Sequence, residues 1–398
     1  MTGRDRLLVL HLIDSLGRSG GAEQQLVANL GRMSDPRLRH HVLCLYEPDD
    51  TSRAPELPES VGLSVATDGR RGGRLRLARA VDRCVVGLDP DLIHCSLPDA
   101  ALGARLAGWR RRIPVIESLV NISHEPVRIQ DNPAVSRVKL AAHRALDRVT
   151  MRRVARFHAL SGAVARSWID TVRLPADRIV VIPRGVEVPP APTAEERDRT
   201  RAGLLAELGV GSSSLMILNV GRQVAQKGQI YALRAMPAIL GRFPDTVLVS
   251  AGSQGPLTPV LGAEARRLGL ERHVRWLGIR SDIPRLMAAA DVFVFPSLYE
   301  GLGVSLLQAL AAGLPCVTTD RPPMTEVVDH EVTGLLAPAG EPAALAAAVV
   351  RLGEDAALRV RLGAAGRQRV RDSFDLATTS DAIERMYLDA LGLPSLEQ

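Results

Sequence analysis

Two cations bracket a short loop at Gly221-Arg222 and Gln226-Lys227-Gly228, directly after the apolar run Leu215–Val220. A guanidinium fork and a lysine point charge there suit phosphate oxygens. Without a metal, they can stabilise the charge that develops on a diphosphate leaving group. Lys139 and Lys227 are the chain's lysines, so a lysine at this place stands out against an arginine background. A second constellation is Pro296-Ser297-Leu298-Tyr299-Glu300-Gly301-Leu302-Gly303, leading into Val304–Ala312. Glu300 can accept hydrogen bonds from sugar hydroxyls. The backbone around Gly301, Leu302, Gly303 and Val304 opens a helix whose N–H groups can meet phosphate. A third, Gly20-Gly21-Ala22-Glu23, follows Leu7–Ile13 and lets a ligand approach the backbone. It is not GxGxxG, and no acidic residue placed for a ribose follows it. An exposed basic loop, a solvated carboxylate and a plain strand–helix turn are the alternative readings of these three sites.

The elements that must position these residues alternate. Leu7–Ile13, His41–Tyr46, Asp91–Cys95 and Pro114–Leu119 read as strands, and Ala22–Met33 as a helix. The pattern restarts with strands at Leu215–Val220, Thr246–Ala251, Val274–Leu277, Asp291–Phe295 and Pro315–Thr318, and a helix at Gln229–Leu240. The helix from Val304 should stop at Gly313, ahead of Pro315. Such alternation predicts an α/β protein of two Rossmann-like, doubly wound domains, with a boundary in the Pro-, Ser- and charge-rich stretch 188–214. Ligands in such sheets bind beyond the carboxyl ends of the strands, and two such edges can face each other across a cleft.

Composition narrows the classes. The chain has 398 residues, 46% hydrophobic and 24% charged, enough for two cores and unlike a disordered chain. Net charge is +6, which suits phosphate ligands or anionic lipid. Aromatics are 3%, with no basic stripe interleaved with rings, which argues against nucleic-acid recognition by stacking. Cys44, Cys84, Cys95 and Cys316 form no CxxC pair and read as reduced thiols. Asp89-Pro90-Asp91 spells DxD, but it precedes a strand and reads as turn chemistry; no metal and no cofactor is expected. The run Leu7–Ile13 is too short for a signal peptide, and Leu302–Thr319 is broken by Gln308, Gly313 and Pro315. The expected location is the cytoplasm, or the inner face of a membrane.

The runs GRQVAQKG, WLGIRSDIPRLMAAADVFVFPSLYEGLGVSLLQALAAGLPCVTTD and TEVVDHEVTGLLAPAGEPAALAAAV resemble the retaining glycosyltransferases of family 4, which have the GT-B fold. GGAEQQL, DPDLIH and VIPRGVEV extend the resemblance over nearly the whole chain. It implies domains at 1–188 and 189–375, with a last segment, 376–398, returning to the first domain. It implies that Arg222 and Lys227 contact the donor diphosphate, with Gly221 beside them. Glu300 would contact the donor sugar, and Gly20 and Gly21 would lie beside the donor phosphate or the acceptor. It also implies that His124, in Asn121-Ile122-Ser123-His124-Glu125, positions the donor sugar or polarises its hydroxyl, a loop or core histidine being the alternative; Glu125 reads as its orienting partner or as a solvated carboxylate. The family's second Glu, which binds the ribose, is Gln308 here, and the Asn of its VIPNG motif is Arg184. An amide can still bond both ribose hydroxyls, without charge.

The implied reaction is transfer with retention from a nucleotide diphosphate sugar of UDP or GDP type to a hydroxyl acceptor (a glycan, a glycolipid or a small glycoside). Catalysis would fall to Glu300, His124, Arg222 and Lys227. A non-catalytic nucleotide-sugar-binding regulator, an epimerase and a phosphorylase of the same fold stay open. A two-domain NAD enzyme does not, because neither half carries its fingerprint. One more expectation concerns membranes. If Ser136–Phe157 is helical, Arg137, Arg144, Arg148 and Arg152 share a face opposite Val138, Ala142, Leu146 and Val149. With Arg70, Arg71, Arg74, Arg76 and Arg79 they could dock on anionic lipid.

Overall fold

A computed structural model describes residues 6–16, 21–47, 56–67, 74–125, 136–211 and 215–394. Gly20, Arg70 and Arg71 lie outside the described residues, as does the side chain of Arg74. The chain divides into two units, Met1–Gly185 with Leu376–Gln398, and Val186–Asp375.

In the first unit, Leu7–Ile13 (β1), Leu38–Cys44 (β2), Gly62–Val65 (β3), Leu92–Ser96 (β4), Val115–Leu119 (β5), Arg156–Ala159 (β6) and Ile179–Val181 (β7) form a parallel sheet of order β3-β2-β1-β4-β5-β6-β7. β1 and β4 are almost wholly buried, and apart from His11, His94 and Ser96 they are apolar, as expected of a sheet covered on both faces. The order reverses between β1 and β4, so the crevice outside their carboxyl ends is the switch point where ligands bind in such sheets. One face packs on helix Leu376–Leu391, whose Ile383, Met386 and Tyr387 meet Val9, Leu92, Ile116 and Ile182. That interface holds a chain of imidazoles. His11 Nε2 and His40 Nδ1 are 3.0 Å apart, His94 bridges the Tyr387 hydroxyl (2.6 Å) and Ser118 Oγ (2.8 Å), and Ser118 reaches His158 Nδ1 (3.0 Å). Burial pushes His40 and His158 down to about 4 and His94 to about 3, and holds His11 well below the usual range, helped by His40 and His94.

In the second unit, Met216–Val220 (β8), Val247–Ala251 (β9), Val274–Gly278 (β10), Val292–Phe295 (β11), Cys316–Thr319 (β12) and Leu335–Ala337 (β13) form a parallel sheet of order β10-β9-β8-β11-β12-β13. The switch point lies between β8 and β11. The two units share a strand-start device. Asp91 Oδ2 accepts the Leu8 amide at 2.7 Å, and Asp291 Oδ2 accepts the Met216 amide at 2.7 Å. In the DxD run Asp91 therefore serves the amino end of the sheet, as turn and strand-start chemistry predicts.

The units divide at Gly185/Val186, and the chain after it holds helix Ala194–Glu207, started by a capping box of Thr193 and Glu196. Two expectations are corrected. Ser136–Phe157 is not one helix; Arg137–Thr150 is helical and Phe157 lies in β6. Its polarity is also different. Arg144 donates to the His124 carbonyl and Arg148 to those of Thr171 and Val172, so these arginines brace the unit. Val138, Leu146 and Val149 are exposed, at 79%, 38% and 63%, as are Arg137 and Arg148.

Candidate active site

In the second unit, the loops after β8 and β11 stand side by side at the switch point because those strands pair directly. After β8 the chain runs through Gly221 and Arg222 into a single 3-10 turn, Ala225–Lys227, then Gly228 starts helix Gln229–Arg242. Gly228 has φ 65°, and a Cβ there would fall 1.9 Å from the Pro296 carbonyl oxygen, so only glycine lets the two loops touch. Gln229 fastens the turn by donating to the carbonyls of Gly221 and Arg222.

After β11 the chain passes Glu300 and reaches Gly303, φ 85°, which opens helix Val304–Ala311 against the Phe295 ring. The loops are tied together. The Leu298 amide donates to the Gln226 carbonyl at 2.8 Å, and Gln226 Nε2 donates to the Tyr299 carbonyl at 2.9 Å and Glu300 Oε2 at 3.3 Å. Lys227 Nζ donates to Glu300 Oε1 at 2.6 Å and sits 5.2 Å from the centre of the Phe295 ring. Its stem packs on Gly221. Glu300 is 6% exposed, whereas Arg222 and Gln308 are exposed. Gly221, Arg222, Lys227, Glu300 and the Gly301–Val304 backbone thus gather at one sheet edge. They combine a fixed cation, a free-standing guanidinium, a held carboxylate and a helix N-terminus. Such a set can bind a diphosphate and a neutral polyol together.

In the first unit, Gly21 begins helix Gly21–Leu30, and a Cβ there would lie 2.9 Å from Arg184 Nη1. The Arg184 of the altered VIPNG motif therefore reaches this helix start. Asp14, at the end of β1, accepts the Ala100 amide at 3.0 Å, and burial pushes its carboxyl up to about 6.

His124 is 3% exposed and lies after β5. Its Nε2 is 2.8 Å from Asp147 Oδ2, and Trp168 meets its ring edge-on at 4.7 Å. Glu125 is not its partner: Glu125 accepts from Ser167 Oγ. Asp147 and Arg105 escaped the sequence reading. Arg105 donates to Asp147 at 2.6 Å, and through Nε and Nη2 to Glu117 at 2.7 and 2.5 Å. Burial opposes the Asp147 carboxylate, but the His124 hydrogen bond and the Arg105 guanidinium outweigh it and hold it below the usual range. No group of three or more His, Cys, Asp or Glu among the described residues could hold a metal ion. No helix among them is long and apolar enough to cross a membrane.

Residues 205–369 match the family described as Glycosyl transferases group 1, and residues 19–188 match Glycosyltransferase Family 4. The chain is 30% identical over 328 residues to the putative glycosyltransferase EpsF of Bacillus subtilis, covering 81% of this chain and 80% of EpsF. It is 28% identical over 214 residues to the UDP-Gal:alpha-D-GlcNAc-diphosphoundecaprenol alpha-1,3-galactosyltransferase of Escherichia coli, covering 53% of this chain and 54% of that protein. For the galactosyltransferase and several other curated relatives, the match spans about half of their length. Among solved structures, Anabaena HepE in complex with UDP and glucose aligns over 96% of this chain and 100% of its own, with a TM-score of 0.80 at 24% identity. That likeness is one of fold.

Proposed function

The chain belongs to the family 4 glycosyltransferases, with the two Rossmann-like units of the GT-B fold, and from that premise we propose that it transfers a sugar from a nucleotide diphosphate to a hydroxyl acceptor. The observation that carries this reading is the Lys227–Glu300 pair at the switch point of the second unit. Arg222 and Lys227 take the donor diphosphate, and the helix opening at Gly303 adds its N–H groups. Glu300 holds hydroxyls of the donor sugar, and Gln308 the ribose. UDP is the first nucleotide to try, since HepE holds it.

Transfer proceeds with retention. The bond from the anomeric carbon to the diphosphate oxygen breaks, and the bond to the acceptor oxygen forms on the same face. The acceptor proton passes to a phosphate oxygen of the leaving group, so no protein base is required. Arg222 and Lys227 stabilise the charge that appears on the diphosphate. A thermal-shift panel of UDP-, GDP-, ADP- and dTDP-sugars, with and without EDTA, tests this. Stabilisation by one nucleotide class in both conditions is expected; loss in EDTA, restored by Mn²⁺, would overturn the metal-free mechanism.

A second proposal concerns location. The outward Val138, Leu146 and Val149 of helix Arg137–Thr150, with Arg137 and Lys139 beside them, support peripheral contact with an anionic membrane. Flotation with liposomes containing or lacking phosphatidylglycerol at low salt decides it; equal recovery refutes it.

A further inference from the structure

The first unit contains a cavity of about 280 Å³. Leu97, Leu102, Leu140, Leu146 and Trp168 supply apolar wall, and Ser118, Ser123, His124 and His143 supply polar groups. The cavity sits at the ligand edge of the sheet, beyond β4 and β5. Leu97, the residue after β4, has φ 76° and ψ 152°, a region sparsely populated by non-glycine residues that clusters at functional sites.

His124 is built to present one atom. Ionised Asp147 can only accept, so His124 Nε2 carries the hydrogen of that bond, and in the neutral ring Nδ1 is left as an acceptor. Nδ1 is buried and has no hydrogen-bond partner. An orphaned acceptor in an apolar cavity is costly unless a ligand satisfies it. Arg105, clamped by Glu117, keeps Asp147 in place, and the edge-on Trp168 fixes the ring plane. Among the described lining residues the one guanidinium is Arg105, which donates to Glu117, Asp147 and Thr150.

We propose that this cavity binds a neutral hydroxyl group carried on an apolar body, with the hydroxyl donating to His124 Nδ1. The hydroxyl is assigned to the acceptor, in place of the donor-sugar role that the resemblance implies for His124; that clause rests on the glycosyltransferase reading. Leu140 and Leu146 come from helix Arg137–Thr150. His124 and Asp147 then act as binding and positioning residues.

The test uses two probes with the same apolar ring, cyclohexanol and cyclohexyl methyl ether, of which only the first can donate. Binding to the full chain with the exposed Trp109 and Trp276 replaced by Phe is read from Trp168 fluorescence. Saturable binding of both is expected, with the alcohol about five- to tenfold tighter, the scale of one neutral hydrogen bond. His124→Phe should erase the preference while keeping the ether. Leu102→Trp, at the half-buried rim, should block both probes and so locates the site without touching His124. No saturable response to cyclohexanol, equal affinity for the two probes, or a preference that survives His124→Phe overturns the proposal. The measurement contains no nucleotide, so binding of the alcohol by a protein that binds no nucleotide sugar would support the cavity and refute its acceptor role.

Discussion

Lys227 Nζ stands 2.6 Å from Glu300 Oε1, although the two residues are 73 positions apart. One loop follows β8 and the other β11, and the contact exists because those strands are neighbours in the sheet. The pair gives the two halves of a donor separate handles. The ammonium keeps further N–H donors for phosphate, and the carboxylate keeps lone pairs for hydroxyls.

Lys227→Ala and Arg222→Ala should each cost ~2–4 kcal/mol in transition-state stabilisation, the scale for one electrostatic donor. Their effects on folding should differ. Lys227→Ala leaves a buried Glu300 with a weak contact to Gln226, and should destabilise by about 1–3 kcal/mol. Arg222 is exposed, and its loss should stay within about 0.5 kcal/mol. Urea denaturation alongside steady-state kinetics separates the two quantities; near-normal turnover in either variant refutes the assignment.

Glu300 and Gln308 should fail differently. If Glu300 holds the sugar, its bonds tighten as the reacting carbon becomes cationic, so Glu300→Gln should remove most of kcat at saturating donor. Gln308 would touch a part that does not react, so Gln308→Glu should alter donor affinity about tenfold or less. Kinetics with nucleotide affinity measured by calorimetry checks both. A kcat raised by orders of magnitude in Gln308→Glu would instead favour the regulatory-binder reading.

The imidazole chain sets an acid limit on the first unit. Its histidines are held neutral, so the unfolded chain takes up protons below about pH 6.5, while the folded one resists until about 4 for His40 and His158 and about 3 for His94. Their contribution is therefore full above about pH 6.5 and falls as pH drops, by up to about 1.4 kcal/mol per unit per histidine. Asp14 and Glu384 oppose this in part, since burial raises both. Urea midpoints should fall clearly from pH 7.5 to 5.0, and His94→Gln should flatten the fall. A flat profile in the natural chain would contradict the assignment.

The sequence disclosed what depends on local pattern. Strands buried on both faces, such as β11, show as unbroken apolar runs, and the loops after β8 and β11 announce themselves by glycine and charge. The edge strands Gly62–Val65 and Ile179–Val181 are short and partly exposed, so neither was read as a strand. Tertiary partners were illegible. Nothing near His124 points to Asp147, 23 positions on, or to Arg105 behind it. Arg144 and Arg148 read as a solvent face because they are charged, yet they donate to backbone carbonyls at His124, Thr171 and Val172.

The most direct test of the central claim is release of nucleotide diphosphate from the nucleotide sugar that stabilises the protein, followed in EDTA for the natural chain, Lys227→Ala and Glu300→Gln. The account predicts slow metal-independent release by the natural chain without acceptor, accelerated by a hydroxyl acceptor and largely lost in both variants. Binding of the nucleotide sugar with no release under any condition, or release that both variants retain, would contradict it.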